Sequence, residues 1–199
     1  MKTTLLAIAT LLSCSATFAQ DKLNPGDNIP NKDKTLQCVN GKPTSFASAM
    51  GENGLVVMFS CNTCPYVVKN QPITKKTIDY AKAHHIGMVI LNSNEAQRGD
   101  ADSYDGMKKY ASAQGYNVPY LVDENSTMAD LFGASHTPEV FLFGKNGKLV
   151  YKGAMNDNPG DPSSYKKMYI EDAINAMIAG KDPDPNATKS IGCGIKRKA

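Results

Sequence analysis

At 199 residues, with 41% hydrophobic and 21% charged side chains, the chain has apolar material for one ordinary core plus short extensions. The formal charge is only +3, the basic residues are scattered except for Lys189, Lys196, Arg197 and Lys198, and there is no Trp. That distribution excludes a nucleic-acid binder, which needs a basic face interleaved with stacking aromatics. There are no internal repeats and no low-complexity tracts.

The first segment is of another kind. Lys2 precedes an apolar run over residues 5–12, too short to cross a bilayer, and Thr17-Phe18-Ala19 sets small residues where a signal peptidase cuts. Residues 1–19 are therefore expected to be a signal peptide, leaving a mature chain that is periplasmic or secreted. Leu11-Leu12-Ser13-Cys14 resembles a lipobox, but Leu fits its middle position poorly. Release is favoured over anchoring at Cys14. Beyond the signal four cysteines remain, Cys38, Cys61, Cys64 and Cys193. An exported protein meets an oxidising compartment, yet a chain this long folds without disulfides, so these cysteines point at least partly to chemistry.

Residues 35–39 and 42–46 flank Asn40-Gly41, a dipeptide that predicts a hairpin. Leu55-Val56-Val57-Met58-Phe59 is an unbroken apolar run, as expected of a strand buried on both faces. A helix follows to about residue 84, broken or kinked at Pro72. Gly87-Met88-Val89-Ile90-Leu91 is a second buried strand, so strand, helix and strand predict a right-handed parallel crossover. A polar loop over 92–100 leads to a helix over 103–114, an extended piece over 118–122 and a small helix over 126–132. Residues 140–143 and 148–151 bracket Asn146-Gly147, a second hairpin. Tyr165, Met168, Tyr169, Ile174, Met177 and Ile178 recur at helical spacing and end at Gly180. The domain is thus expected over 20–180 and a Cys-bearing tail over 181–199. The fold class is α/β, a mixed central β-sheet flanked by α-helices.

Cys61-Asn62-Thr63-Cys64-Pro65 follows the first buried strand and opens a helix. Proline is tolerated only in a helix's first turn, so Cys61 is expected at or just before the N-terminus, where unpaired N–H groups favour its thiolate. Cys64, one turn on, is expected to be less exposed. Cys61 would then attack a partner disulfide and Cys64 would resolve the mixed disulfide. A purely structural Cys61–Cys64 bridge closes too small a loop to stabilise much.

These residues, from Gly54 to Tyr66, together with Thr137-Pro138-Glu139-Val140-Phe141-Leu142, resemble the thioredoxin superfamily, specifically exported thioredoxin-like and AhpC/TSA-related redoxins. The resemblance covers residues 27–181. It implies a thioredoxin-like fold with Pro138 as a cis-proline and Thr137 beside it as the partner-binding edge. The implied activity is thiol–disulfide exchange with protein thiols, fed by an unidentified electron donor or acceptor, a membrane redox partner among the candidates. The resemblance calls for no cofactor. Thioredoxins proper carry a buried Asp in the strand before the motif. Residues 55–59 offer none, which leaves Glu139 as the nearest candidate for proton transfer. Ser60 stands where Trp is usual.

Three other readings stay open. A thiol peroxidase of the AhpC/TSA type would use Cys64-Pro65 as its peroxidatic pair, although Cys61 then sits where Thr belongs and Val57 where Pro belongs. A copper or zinc carrier would use Cys61, Cys64 and His136, because thiolates with imidazole suit those metals. Copper chaperones of this fold, however, space the two cysteines by three residues rather than two. A non-catalytic binding module is the third. Cys193 lies in Ile191-Gly192-Cys193-Gly194-Ile195, an apolar patch expected to dock on the domain. A third redox thiol and a staple to Cys38 are equally favoured roles for it. Cys38 otherwise reads as a small buried hydrophobe.

Overall fold

A computed structural model describes residues 22–198. The expected signal peptide, its cleavage after Ala19 and Cys14 lie outside them. In chain order the elements are α1 (Phe46–Ala49), β1 (Gly54–Ser60), α2 (Pro65–Lys69), α3 (Gln71–Ala83), β2 (Ile86–Asn92), α4 (Tyr104–Gln114), β3 (Tyr120–Val122), α5 (Thr127–Phe132), β4 (His136–Thr137), β5 (Glu139–Gly144), β6 (Leu149–Gly153), α6 (Tyr169–Ile178) and β7 (Cys193–Gly194). Single 3₁₀ turns precede α4, at Glu95–Gln97, and α5, at Glu124–Ser126.

The five-stranded sheet runs β3-β2-β1-β5-β6. β1 pairs in parallel with β2, and β2 with β3, while β5 and β6 are antiparallel additions. β1 is central and buried at every position, as its unbroken apolar run requires. Alternation then sorts side chains between two cores. Val56, Met58, Met88, Ile90, Val140 and Leu142 face α3, α4 and α6. Leu55, Val57, Phe59, Val89, Leu91, Phe141 and Phe143 face α1 and α5. The thioredoxin-like fold and mixed sheet expected from the sequence are therefore present.

The helix after the motif breaks at Asn70, which closes α2 and opens α3, and Pro72 sits harmlessly in the first turn of α3. The fully buried Asn70 amide donates to the carbonyls of Tyr66 and Pro159, both at 2.8 Å, so the break is also a tether to the loop before α6.

The first expected hairpin is reduced to one bridge, Leu36 to Thr44. Two forces dismantle the rest. Backbone groups of the first arm are drawn to the open edge of β3, with Val39 N donating to Tyr120 O at 3.1 Å and Val122 N to Gln37 O at 2.9 Å. The second arm is cut short at Ser45, which with Ser48 forms a reciprocal capping box that starts α1.

The segment expected as a tail returns to the domain. Lys152 N donates to Asn186 O and Thr188 N to Lys152 O, covering the edge of β6. β7 then pairs antiparallel with β4, His136 opposite Gly194 and Thr137 opposite Cys193. Ile195 follows into the second core. Among the described residues no helix is long and apolar enough to cross a membrane.

Candidate functional site

β1 delivers Cys61 to the C-terminal end of the sheet, and the short turn Cys61-Asn62-Thr63 leads into α2. The N-cap of α2 is Cys64, with Pro65 at the first helical position. The expected difference in exposure is absent, since both cysteines are buried. Cys61 is 1% exposed and Cys64 4%. Cys61 lies three residues ahead of the N-cap rather than on it, because Pro65 fixes the start of α2 one residue after Cys64.

A loop distant in sequence meets both sulfurs. The Thr137–Pro138 peptide is cis, as the resemblance implied. Cys61 Sγ shares a hydrogen bond with Thr137 Oγ1 at 3.4 Å, and Cys64 Sγ lies 3.3 Å from the Thr137 carbonyl oxygen. Burial pushes the Cys61 thiol above its ordinary range. The Thr137 hydroxyl opposes that shift, the Asp102 charge adds to it, and the backbone of Cys64 and Thr63 opposes it. The thiolate stabilisation expected at Cys61 is therefore outweighed by desolvation.

Cys64 is joined to Cys193 in a disulfide, with Cα atoms 5.9 Å apart, whereas Cys61 and Cys38 are free thiols. The staple between Cys193 and Cys38 does not form. Cys38 is bridged to Leu121 of β3, at one margin of the sheet, whereas the tail arrives beside β4 on the far side of β1. Cys38 is 1% exposed and packs in the second core as a small hydrophobe.

The Glu139 carboxylate, expected as the nearest proton-transfer group, has backbone partners and no hydrogen bond to Cys61 or Cys64 among the described residues. It accepts from the backbone N–H groups of Ser135 at 2.8 Å and His136 at 3.1 Å, which shapes the loop ahead of Thr137. The buried carboxylate that acts on Cys61 is Asp102. It is fully buried and accepts from Asn62 N at 2.9 Å, Asn92 Nδ2 at 2.7 Å and Asn94 Nδ2 at 2.9 Å. Asn62 donates its side-chain amide to Ala101 O at 2.7 Å, while its Oδ1 accepts from Tyr120 Oη at 2.8 Å. The turn between the cysteines is thus bolted to the segment before α4. Reading the sequence missed Asp102, since a lone Asp-Ser pair before a helix signals only a cap.

His136 donates to or accepts from Ser135 Oγ at 2.8 Å. Among the described residues no three His, Cys, Asp or Glu side chains gather as metal donors, so Cys61, Cys64 and His136 do not form the set expected of a metal carrier. The two arginines are engaged with backbone and carboxylate groups. Arg98 donates to Asn92 O and Asp102 O, both at 2.7 Å, and Arg197 to Asp130 Oδ1 at 2.7 Å. Among the described residues neither guanidinium hydrogen-bonds to Cys61 or Cys64.

A cysteine pair at the end of a central strand, facing a cis-proline loop, on a mixed sheet with helices on both sides defines a thioredoxin-superfamily protein. The sequence comparisons narrow this: the family model described as Redoxin matches residues 24–169, and the chain belongs to that family. It is 26% identical over 137 residues to the thiol-disulfide oxidoreductase ResA of Bacillus subtilis (strain 168), covering 68% of this chain and 71% of ResA. An uncharacterized conserved protein from Geobacillus kaustophilus superposes with a TM-score of 0.80 at 30% identity, over 89% of this chain and 94% of that one. A putative thiol:disulfide interchange protein DsbE from Chlorobium tepidum shares the fold, with a TM-score of 0.58 at 19% identity over 80% and 98% of the two chains.

Proposed function

We propose that this protein is an exported thiol–disulfide oxidoreductase that exchanges disulfides with partner proteins through Cys61 and Cys64. The observation that carries the reading is the convergence of both sulfurs on Thr137, 3.4 Å to its hydroxyl and 3.3 Å to its carbonyl. A backbone edge beside a reactive cysteine pair lets an extended partner strand pair while its sulfur reaches the site. The similarity to ResA supports the same chemistry. The charged start, the apolar run over residues 5–12 and Thr17-Phe18-Ala19 support export and cleavage after Ala19. Partners are then proteins with thiols or disulfides in the periplasm or outside the cell, together with an electron donor or acceptor.

The test is catalysed reduction of a disulfide-bonded protein by glutathione, beside peroxide consumption, in wild type, Cys61→Ser and Cys64→Ser. The reading expects exchange in the wild type, loss of 100-fold or more in both variants, and no rapid peroxide turnover. Exchange that survives both substitutions, or fast peroxide consumption that requires Cys64, sinks it. Equilibration with glutathione then sets the direction. A potential near about −270 mV indicates a reductase and one near about −120 mV a disulfide donor.

A further inference from the structure

β4 has an edge that a partner strand could use, and β7 already occupies it. Thr137 is paired with Cys193 and His136 with Gly194. Ile195 N donates to Ser135 O at 3.0 Å, extending the ladder. The cysteine in this strand is covalently bound to the motif, and the sulfur it has chosen is Cys64, not Cys61. The arrangement is that of a mixed disulfide between an oxidoreductase and an extended partner, except that the partner is the protein's own C-terminal segment.

The fit is close on one side and open on the other. A Cβ at residue 192 would overlap the Thr137 carbonyl, whereas one at residue 194 would meet nothing within 4 Å. Beyond the strand, Lys196 N donates to Asn94 Oδ1 at 2.9 Å, and the same Asn94 donates to Asp102 at 2.9 Å. The segment that seats the tail is therefore continuous with the network that holds the turn between Cys61 and Cys64. Cys61 remains a free thiol packed against Cys64 and Cys193 in one small cluster.

We infer that Cys193 is a third redox cysteine held in the place of a partner's cysteine, that Cys64 is the sulfur that exchanges with partners, and that Cys61 is the resolving sulfur. The inference rests on the oxidoreductase reading above. Cys61, as thiolate, attacks Cys64 Sγ. The Cys61–Cys64 bond forms, the Cys64–Cys193 bond breaks, and Cys193 leaves as a thiolate that takes up the proton given up by Cys61. One disulfide is exchanged for another, so no oxidant or reductant is consumed. The freed tail uncovers the edge of β4 for a partner strand. In the reverse direction, Cys193 attacks Cys64 and returns the tail to its groove, protecting the oxidised motif from adventitious thiols.

The test uses the full mature chain equilibrated over a series of glutathione redox buffers, quenched by alkylation and mapped by peptide mass spectrometry. The wild type should contain two oxidised forms, Cys64–Cys193 and Cys61–Cys64, that interconvert with no change in total thiol count. Cys61→Ser should hold only Cys64–Cys193, Cys193→Ser only Cys61–Cys64, and Cys64→Ser neither, with Cys61 and Cys193 both alkylated. If Cys193 is alkylated at every potential while protein disulfides are still exchanged, the relay is wrong and the oxidoreductase reading stands. If Cys64–Cys193 persists and Cys61–Cys64 never appears, the bond is a structural staple and the inference falls. A Cys61–Cys193 bond in Cys64→Ser overturns the assigned order. Wild type and Cys193→Ser both failing to exchange any protein disulfide would instead overturn the oxidoreductase reading itself. The wild-type map needs no substitution, so a variant that fails to fold leaves the question decidable.

Discussion

Gly192 passes so close to the carbonyl of Thr137 that a side chain at 192 would collide with backbone, not with a yielding side-chain end. The residue before Cys193 is glycine because the tail strand and the cis-proline loop share one narrow space. Gly192→Ala should force the tail outward at a cost of about 1–3 kcal/mol, the usual range for overpacking. The middle of that range corresponds to a shift of roughly tenfold or more from docked to free Cys193. Alkylation of Cys193 over a fixed glutathione series reads it directly. Gly194→Ala, with open space around it, should leave the distribution unchanged.

The Cys61 thiol is raised above its ordinary range by burial first, with the Asp102 charge adding to the rise. A thiol whose folded value lies above its unfolded one contributes stability that is fully present below the unfolded value. That stability is lost as pH rises through the folded value. The disulfide-bonded protein should therefore lose stability above the ordinary thiol range, and Cys61→Ala should remove the part of that loss that begins before the buried tyrosines, also raised by burial, ionise. Denaturation midpoints across alkaline pH provide the comparison. Asp102→Asn should move the thiolate absorbance transition of Cys61 to lower pH while leaving it above the ordinary range, because desolvation remains the larger cause. A transition that does not move would show that the Asp102 charge does not reach the sulfur.

Tyr120 Oη donates to Asn62 Oδ1 at 2.8 Å and accepts from Asn92 Nδ2 at 3.0 Å inside the core. Tyr120→Phe leaves the Asn62 oxygen without that donor, and an unsatisfied buried group costs about 1–3 kcal/mol. Chemical denaturation should register that loss. Because Asn62 sits between the two cysteines, the rate of Cys61 alkylation at fixed pH should rise several-fold as well. A stability change with no change at Cys61 would show that Asp102 and Ala101 hold the turn without Tyr120.

Phe132 of α5 packs edge-on against Phe46, Phe59, Phe141 and Phe143, with ring centroids 5.6, 5.3, 5.2 and 5.8 Å away. Phe132→Ala should cost about 3–5 kcal/mol through lost transfer energy and the cavity left behind. The midpoint of urea unfolding measures it. A cost below about 1 kcal/mol would mean that the second core collapses around the gap.

The chain could be read wherever the signal was local. The unbroken run in β1, the break near Pro72, the Asn146-Gly147 turn and the helical spacing into α6 each follow from neighbours in sequence. So does the placing of Cys61 and Cys64 between strand and helix. The first hairpin could not be read in the same way. Its Asn40-Gly41 signal was sound, but the backbone of residues 37–39 finds better partners on β3, more than eighty residues away.

The chemistry of Cys38, Cys61, Cys64 and Cys193 divides along the same line. Sequence alone set a cysteine pair between a buried strand and a helix, because apolar runs and proline placement act over short distances, while the Thr137-Pro138 loop facing it was implied by the resemblance to the thioredoxin superfamily. Only the tertiary structure decided that both cysteines of the motif are buried, that Cys64 is the one bonded to Cys193, and that the Asp102 charge bears on Cys61. Those outcomes depend on desolvation and on contacts between segments up to 129 residues apart, as for Cys64 and Cys193. Burial and long-range pairing are properties of the folded chain's geometry, and no local pattern encodes them.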